Sequence, residues 1–541
     1  MSGTSTNFHL PDECWESVFK FLNKAHYLDT LSLVSNHFLS LTNNLVSSLK
    51  VSDKTQTLPR LLTRFPNLRS LDLWHFKGDL HALLLQLSES PSSSLDSLNI
   101  CIRNAFPADG FRALAPKMQS LKSLALSNIG APITIADVLL VLQCFPSLRE
   151  LDLHCYKRGD SNNAASQGPV SDTDIEALSL ALPKLRKVKL CGDYLINDSL
   201  LFNLCKNCEF LELVELSECR MVSQDGIARA FKLRPNLTSF LFGNRLKPDI
   251  SSVFIASLVS LKQLTCLKLY STVSDELLFS VARSGLPLRK LFLSNCSGYS
   301  YDGISFLLSK CRLVQHLELC YSAAFLEDKH IKELSKLLGN LMFINLSGCY
   351  QLSYLSFFFL TMNCPLLNEI NMGEAYFYIP ENELLDSLTD SDIIVNFQVK
   401  SLRLSSNKGL MDDNVEILAK ICPNLEILDL GSCKRMSNGA VEVLKICPNI
   451  RYLSLFSHSE VDLSGMQNFQ FPNLEVLRLS LSEIDDKALF IISKSCPGLL
   501  EALSPVTNPL KGALPKAGDF PPLDAHGLSK TTAYSYHMFR L

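Results

Sequence analysis

Cysteine is the residue type of this chain best suited to chemistry, because thiolates bind metals, exchange disulfides and attack electrophiles, and the chain has 18 of them. Cys205 and Cys208 form a C-x-x-C pair, a spacing that zinc sites and redox motifs share. No second pair and no histidine pair follows at zinc spacing, and the sequence contains no P-loop, H-E-x-x-H or G-x-S-x-G motif. We therefore expect no catalytic residue, no metal and no cofactor, with zinc at the C-x-x-C pair as the weaker alternative.

A repeat positions most of these cysteines. The core L-x-x-L-x-L, of which residues 422–433, CPNLEILDLGSC, give the clearest copy, returns about every 26 residues at about seventeen places between Leu68 and Leu499. A period of roughly 20 to 29 residues with this core is typical of leucine-rich repeats, in which each unit adds a short parallel strand and a helix. The sequence predicts an α/β solenoid, a leucine-rich-repeat horseshoe with strands on the concave face and helices on the convex face.

Ten cysteines recur at two fixed places in the repeat. Six lie three residues before the first core leucine: Cys208, Cys311, Cys364, Cys422, Cys447 and Cys496. Four lie three residues after the last core leucine: Cys219, Cys296, Cys349 and Cys433. Cysteine placed by the repeat register is a small residue that fills a recurrent core position, so we interpret these residues as packing residues with reduced thiols.

Charge and termini exclude further classes of protein. A net charge of -3 and a pI near 6.4 give no sign of a nucleic-acid-binding or anionic-membrane-binding surface. The amino terminus shows no basic segment followed by an apolar one, so we expect no secretory signal and a location in the cytoplasm, the nucleus or both.

Helix starts and loops complete the pattern within the repeats. Aspartates at comparable places are predicted to cap the helices: Asp198, Asp225, Asp275, Asp302 and Asp413. Two spacings are longer than the period and predict surface loops near residues 154–172 and 374–392. The second loop carries aromatic residues 376–378, which either pack on the rim of the array or contact a partner.

Residues 8–50 do not follow the repeat and are predicted to form three short helices. In the first, Pro11 stands at the start, and Trp15, Val18, Phe19 and Leu22 share one face. Asp29 is a candidate cap of a second helix that would carry Leu31, Val34, Phe38 and Leu41; a third would carry Leu45, Val46 and Leu49. A unit of about 45 residues buries only a modest share of its surface, so we expect another surface to cover this one.

These residues carry a family resemblance. The segments L-P-D-E at 10–13, W-x-x-V-F-x-F-L at 15–22 and L-S-L-V-S-N-x-F-L-S-L at 31–41 resemble the F-box motif. Asn36 stands where the family often has Lys or Arg, and Trp15 is bulkier than usual. The resemblance, an F-box followed by a long repeat array as in plant members, implies an F-box/leucine-rich-repeat substrate receptor of an SCF (Skp, cullin, F-box) ubiquitin ligase. It implies contacts with the Skp-type adaptor by Leu10, Pro11, Trp15, Val18, Phe19, Leu22, Leu31 and Val34.

The outward residues at the centre of the strands form the candidate target-binding surface. Their charges are mixed, which is typical either of a solvated face or of a polar protein-docking surface. The candidates are Asp152, Lys189, Glu215, Lys268, Glu318, Asn345, Asn371, Arg403 and Asp429. Hormone-receptor members of the family hold an inositol phosphate on a dense basic floor, and the sequence does not show such a floor.

We divide the chain into an F-box at 8–50, leucine-rich repeats at 51–504 and an irregular tail at 505–541. After Cys496 the repeat core gives way to a proline-rich stretch, which predicts a disordered tail without a terminal cap. The predicted function is substrate recognition in an SCF ligase, with a protein target marked for proteasomal degradation. The alternative is a non-catalytic leucine-rich-repeat scaffold that acts outside the ligase.

Overall fold

The computed structural model describes residues 10–22, 25–51, 58–89, 95–129, 133–155, 172–192, 196–244, 250–270, 272–375, 395–436, 439–457, 463–480, 482 and 485–503. They divide into two compact units, Met1–Phe325 and Leu326–Leu541. The loop residues 156–171 and 376–394 and the tail 504–541 lie outside the described residues, so the predictions for them stay predictions.

Three helices open the first unit, but their bounds differ from the predicted ones. They are α1 (Asp12–Phe21), α2 (Ala25–Ser32) and α3 (Asn36–Leu45). Asp29 lies inside α2 and not at its start, so its prediction as a cap is wrong. The N-cap of α3 is Ser35, whose Oγ accepts the amide of Phe38 at 3.1 Å. The predicted third helix around Leu49 is also wrong, because Leu49 lies in the first strand.

The first unit continues as a stack of strands and helices. Its strands are β1 (Ser48–Lys50), β2 (Ser70–Leu73), β3 (Ser97–Ile102), β4 (Ser123–Asn128), β5 (Glu150–Cys155), β6 (Lys187–Gly192), β7 (Leu213–Ser217), β8 (Ser239–Gly243), β9 (Cys266–Tyr270), β10 (Lys290–Leu293) and β11 (His316–Glu318). Its further helices are α4 (Leu58–Arg64), α5 (Leu80–Glu89), α6 (Ala108–Leu114), α7 (Ile135–Cys144), α8 (Asp172–Leu180), α9 (Asp198–Asn207), α10 (Gln224–Phe231), α11 (Ser252–Val259), α12 (Asp275–Arg283) and α13 (Tyr301–Lys310). Every strand pairs in parallel with the next one along the chain.

The second unit repeats the same architecture. Its strands are β12 (Phe343–Asn345), β13 (Glu369–Asn371), β14 (Ser401–Arg403), β15 (Ile427–Asp429), β16 (Tyr452–Ser454), β17 (Val476–Arg478) and β18 (Glu501–Leu503), again parallel in chain order. Its helices are α14 (Asp328–Ser335), α15 (Tyr354–Asn363), α16 (Asp412–Ile421), α17 (Gly439–Ile446) and α18 (Asp486–Ser495). Each unit is therefore an α/β leucine-rich-repeat solenoid, and the predicted fold class is confirmed.

Stacked leucines form the core of each solenoid. In the first unit Leu71, Leu98, Leu124 and Leu151 stand in register on neighbouring strands, and none is more than 3% exposed. Burying one such side chain contributes about 1.5 to 3 kcal/mol. Because each leucine is covered mainly by its copies in adjacent repeats, one repeat cannot keep its core dry alone.

The cysteines occupy the packing positions that the repeat predicts. Among the cysteines with described side chains, all except Cys14 are buried. The thiols of Cys219, Cys296 and Cys433 donate to the carbonyl of the last core leucine of the preceding repeat, at 3.2, 3.0 and 3.2 Å. Burial also raises the pKa of the Cys205 and Cys208 thiols to about 12, so this C-x-x-C pair is protonated at neutral pH.

The predicted aspartate caps are wrong, and the structure gives these residues another role. The N-caps lie one or two residues earlier, as Ser223 and Ser300 do before Asp225 and Asp302. In three places an aspartate at the first position of one helix accepts hydrogen bonds from both the amide and the hydroxyl of the N-cap serine of the next helix. These pairs, which we call the aspartate–serine ladder, are Asp198–Ser223, Asp275–Ser300 and Asp328–Ser353, with distances of 2.6 to 2.9 Å.

Glycine makes room for two of these carboxylates. A Cβ on Gly226 would lie 2.1 Å from the Asp198 carboxyl group, and one on Gly303 would lie 2.0 Å from Asp275 Oδ1. The ladder therefore requires glycine three residues after the N-cap serine at these two helix starts.

We expect Asp275→Ala to lower the free energy of unfolding by about 1 to 3 kcal/mol, because the amide and hydroxyl of Ser300 lose their acceptor. Asp302→Ala is the matched control, since Asp302 lies in the first turn of the next helix and is exposed. Its loss should cost less than about 1 kcal/mol through the helix dipole. Urea unfolding of both variants measures the difference, and equal losses would contradict the role of the ladder.

We expect a thiol reagent to modify Cys14 rapidly at pH 8 and to leave Cys205 and Cys208 unmodified until the protein unfolds. The folded-state pKa near 12 lies above the unfolded value of 9.0, so the contribution of these two thiols to stability is complete below pH 9 and is lost as the pH rises towards 12. Mass-spectrometric mapping of labelled peptides, with Cys14→Ser as the control, checks the first part. Labelling of Cys205 at the rate of Cys14 would contradict it.

Candidate protein interaction surface

Strand register brings the predicted target-binding residues into one column on each unit. In the first unit, Asp152, Lys189 and Glu215 are direct neighbours on β5, β6 and β7, and the column continues through Leu241 to Lys268. Glu318 ends it on β11. In the second unit the column contains Asn345, Asn371, Arg403 and Asp429. We call the open side of each sheet, with this column at its centre, the strand face.

Three of these residues are paired by charge. Glu215 lies between Lys189 at 3.5 Å and Lys268 at 3.0 Å, and its side chain is only 12% exposed. The Lys268 ammonium also lies 5.4 Å from the centre of the Phe292 ring, where a cation–π contact is favourable. A partner that binds here must compete with contacts already formed, and the two lysines exceed the one carboxylate by a single positive charge.

His154 adds a charge that the sequence prediction missed. Burial on its own would lower the pKa of His154, but the contact of Nε2 with Asp152 Oδ1 at 2.7 Å, together with Cys191, outweighs it and the pKa rises to about 9. The imidazole is therefore protonated at neutral pH and forms an ion pair with Asp152. The signal in the sequence was the D-x-H spacing, which puts both side chains on the same side of β5.

Trp74 follows β2, three strands before β5, and its side chain lies beside His154. Its ring lies 6.4 Å from the His154 ring, edge to face. Cys101 and Ser127, which face outward on the two strands in between, are only 4% and 0% exposed. The two rings therefore cover the small side chains of Cys101 and Ser127 on this part of the strand face.

In the second unit, three predicted target-binding residues already serve the backbone. Asn345 Oδ1 accepts the amide of Ser347, Asn371 Oδ1 accepts the amide of Gly373, and Asp429 Oδ1 accepts the amide of Gly431, each at 3.0 to 3.1 Å. Such contacts between a side chain and the amide two residues later are typical of Asx turns. These residues hold the turn at the end of each strand, and Asp429 is only 8% exposed.

Of the predicted target-binding residues in the second unit, Arg403 pairs with a charged side chain on the strand face. Its Nε donates to Glu369 on the neighbouring strand at 3.2 Å. Arg478 lies further along the same column, and its guanidinium lies 5.9 Å from the ring centre of Tyr452. Both contacts connect adjacent strands, which only the register reveals.

The three amino-terminal helices divide the predicted adaptor-binding residues into two groups. Phe19 is 1% exposed and forms a core with Leu28 and Leu41, against which Trp15 and Leu31 are packed. For Phe19, Trp15 and Leu31 the first role is therefore structural. The exposed apolar residues are Leu10, Val18, Leu22 and Val34, together with Leu33, which was not predicted and is 79% exposed.

Hydrogen bonds fix these helices to one another and to the first repeats. His37 Nε2 lies 2.8 Å from Asp12 Oδ1, which brings the start of α3 to the start of α1. Leu10, just before α1, and Leu33 and Val34, just before α3, therefore lie at one end of the three helices. At the other side, Arg64 Nε donates to Asn43 Oδ1 at 2.9 Å, so α3 is attached to the first repeat.

Comparisons with known proteins do not assign the chain to a family. No family model matches. Among curated proteins, a segment of 51 residues is 55% identical to Protein TOPLESS of Arabidopsis thaliana; it is 9% of this chain and 4% of that protein. The chain therefore spans only a small part of that relative.

Two solved structures are similar at the level of the whole chain. The complex of Rad7 and Elc1 from yeast has 17% identity and a TM-score of 0.44, over 78% of this chain and 92% of that one. A leucine-rich-repeat protein of Leptospira interrogans has 18% identity and a TM-score of 0.35, over 86% and 97%. Because both scores lie below 0.5, the fold assignment rests on the strands and helices described above.

Two further features bear on partners. Among the described residues, no helix is long and apolar enough to cross a membrane. In the same part of the chain, no three His, Cys, Asp or Glu side chains are grouped so that they could hold a metal ion.

We expect Asp152→Asn to lower the pKa of His154 from about 9, since burial remains and the largest of the contributions that raise the pKa is lost. In the wild type the raised pKa stabilises the fold below pH 6.5, and this contribution is lost as the pH rises through 9. Histidine NMR titration measures the pKa. The control is Glu150→Gln. Glu150 lies on the same strand as His154, and its carboxylate pairs with Lys187 on the neighbouring strand. A similar fall in the pKa of His154 in both variants would contradict the assignment.

Proposed function

We propose that this chain is the substrate-recognition subunit of an SCF ubiquitin ligase, in which the three helices dock on a Skp-type adaptor and the strand face holds a protein target. The observation that carries the proposal is the exposed apolar set of the helices: Leu10, Val18, Leu22, Leu33 and Val34. So many large apolar side chains on a unit of this size are typical of a docking surface.

The apolar surface is separate from the core that supports it. Phe19 and Phe38 lie 5.0 Å apart edge to face, and Trp15 lies 4.9 Å from Phe38, so the aromatic residues are used to pack the helices together. Val18 precedes the buried Phe19 and points away from this core at 46% exposure. Adaptor binding by Val18 and its exposed neighbours would therefore need no opening of the core, and each side chain buried would contribute about 1.5 to 3 kcal/mol.

The mechanism we propose is positional. Attachment of α3 to the first repeat, through Arg64 and Asn43, holds the adaptor-binding helices at a fixed place on the solenoid. A target bound on the strand face would then present its lysines to a ubiquitin-charged enzyme brought by the adaptor and the cullin, at a raised effective concentration. In this proposal the chain itself catalyses nothing, needs no cofactor and acts in the cytoplasm, the nucleus or both.

We expect Val18→Asp with Val34→Asp to abolish co-purification of a Skp-type adaptor while the thermal unfolding of the chain is unchanged. Both side chains are exposed, so the charges cost little in the free protein but would be buried in the complex. Val253→Asp, an equally exposed valine on α11, is the matched control. Phe19→Ala is unsuitable as a test, because it removes the core of the three helices.

Undiminished adaptor recovery with the double variant would contradict the proposal. One further measurement distinguishes a substrate receptor from a scaffold that acts outside the ligase. In a reconstituted reaction with adaptor and cullin, a bound target should be ubiquitylated with the wild type and not with the double variant.

A further inference from the structure

A cleft of about 850 Å³ lies beside the strand face of the first unit. It is formed by the loops that follow β2 and β3 and by the start of α5, and its lining includes Phe76, Leu80, Arg103 and Phe106. This volume is at the upper end of the range for ligand-binding pockets, roughly 300 to 1,000 Å³. None of the predicted binding residues lines it.

Two phenylalanines supply an apolar part of the cleft wall. Phe76 is only 7% exposed, and its ring lies so close to Gly78 that a Cβ there would meet Phe76 Cζ at 2.4 Å. On the opposite loop, Phe106 stacks on the buried Phe111 with ring centres 5.5 Å apart. A ligand would therefore find preformed apolar surface, which lowers the entropic cost of binding.

Basic groups accompany this apolar surface. Lys77 and Arg103 are cations among the lining residues, His81 adds an imidazole, and Asp79 is the carboxylate. Asp79 Oδ1 accepts the amide of Ala82 at 3.1 Å and so serves the start of α5. Burial lowers the pKa of neighbouring His75, and the charges of Lys50, Arg103 and Lys77 lower it further, beyond the opposing effect of Asp72.

Arg103 is held in place at the boundary between the cleft and the strand face. One terminal nitrogen donates to the carbonyl oxygen of Trp74 at 2.9 Å. Its Nε is buried and has no hydrogen-bond partner in the described part of the chain. The Trp74 carbonyl thus holds the guanidinium in the lining of the cleft, and guanidinium groups pair favourably with carboxylates.

We propose that this cleft binds an acidic peptide segment of the partner protein, with its carboxylates on Lys77 and Arg103, a hydrogen bond from His81, and one apolar side chain against Leu80 and Phe106. The inference deepens the proposed function and rests on it for the identity of the partner as the target. Apolar walls with basic groups at their rim favour such a segment over a basic or a purely apolar one.

Selection of peptides tests the proposal without assuming a sequence. A phage-displayed library of random peptides is selected on the immobilised full-length wild-type chain, on Lys77→Glu with His81→Glu, and on Lys184→Glu as a matched control. Lys77, His81 and Lys184 are all exposed, and Glu at position 81 lies in the first turn of α5, where a negative charge is favourable. We therefore expect all three proteins to fold, which circular dichroism checks.

The wild type and Lys184→Glu should enrich peptides rich in Asp and Glu with at least one large apolar residue. A synthetic peptide of the enriched sequence should bind the cleft variant at least about tenfold more weakly, and its affinity should fall with added salt. Enrichment of basic or uncharged peptides, no enrichment, or equal binding to the cleft variant would overturn the proposal. Co-purification of the adaptor is measured in parallel with the same three proteins. If none of the three, the wild type included, recovers the adaptor, the proposed function is overturned and the peptide result stands.

Discussion

The register of the parallel strands is the constraint on which every other feature depends. Because β2 to β5 pair without a shift, Leu71, Leu98, Leu124 and Leu151 fall on one inward line, and the outward residues beside them fall on another. A shift by one residue would exchange the two lines and expose the core. The same pairing that keeps leucines out of water thus decides which charges are neighbours, as for Glu215 between two lysines.

The fold could be predicted because its signal is local and repeated. A leucine can be assigned to the core from its place in the repeat alone. The ten cysteines at fixed places in the repeat could be assigned to the core for the same reason. Features that depend on a neighbour about 25 residues away could not be predicted in this way. Asp275 was interpreted as a cap of its own helix, whereas its acceptors serve Ser300 in the next repeat. For the candidate site, the column was predictable, but the use of Asn345 and Asn371 for turns depends on side-chain torsions that spacing does not determine.

The three amino-terminal helices show a second property that the sequence could not predict. An amphipathic pattern identifies the apolar face of a helix but does not say which partner covers it. Phe19 is covered within the module, whereas Val18 beside it is exposed. Sequence similarity alone assigned both to the adaptor. The structure thereby separates residues that maintain the module from residues available for contact, and the strand face shows the same division between Asp429 in its turn and Arg403 beside Glu369.

The aspartate–serine ladder gives the stack a direction. In each pair the carboxylate belongs to the earlier repeat and the amide it satisfies belongs to the later one. Removing a later repeat leaves only a solvated carboxylate, whereas removing an earlier one leaves a helix start without its acceptor, which costs more. The same order holds during translation: when a new helix leaves the ribosome, the acceptor for its first turn already stands on the repeat made before it. At these three places, the order in which the repeats are synthesised is therefore also the order in which their helix starts find their acceptors.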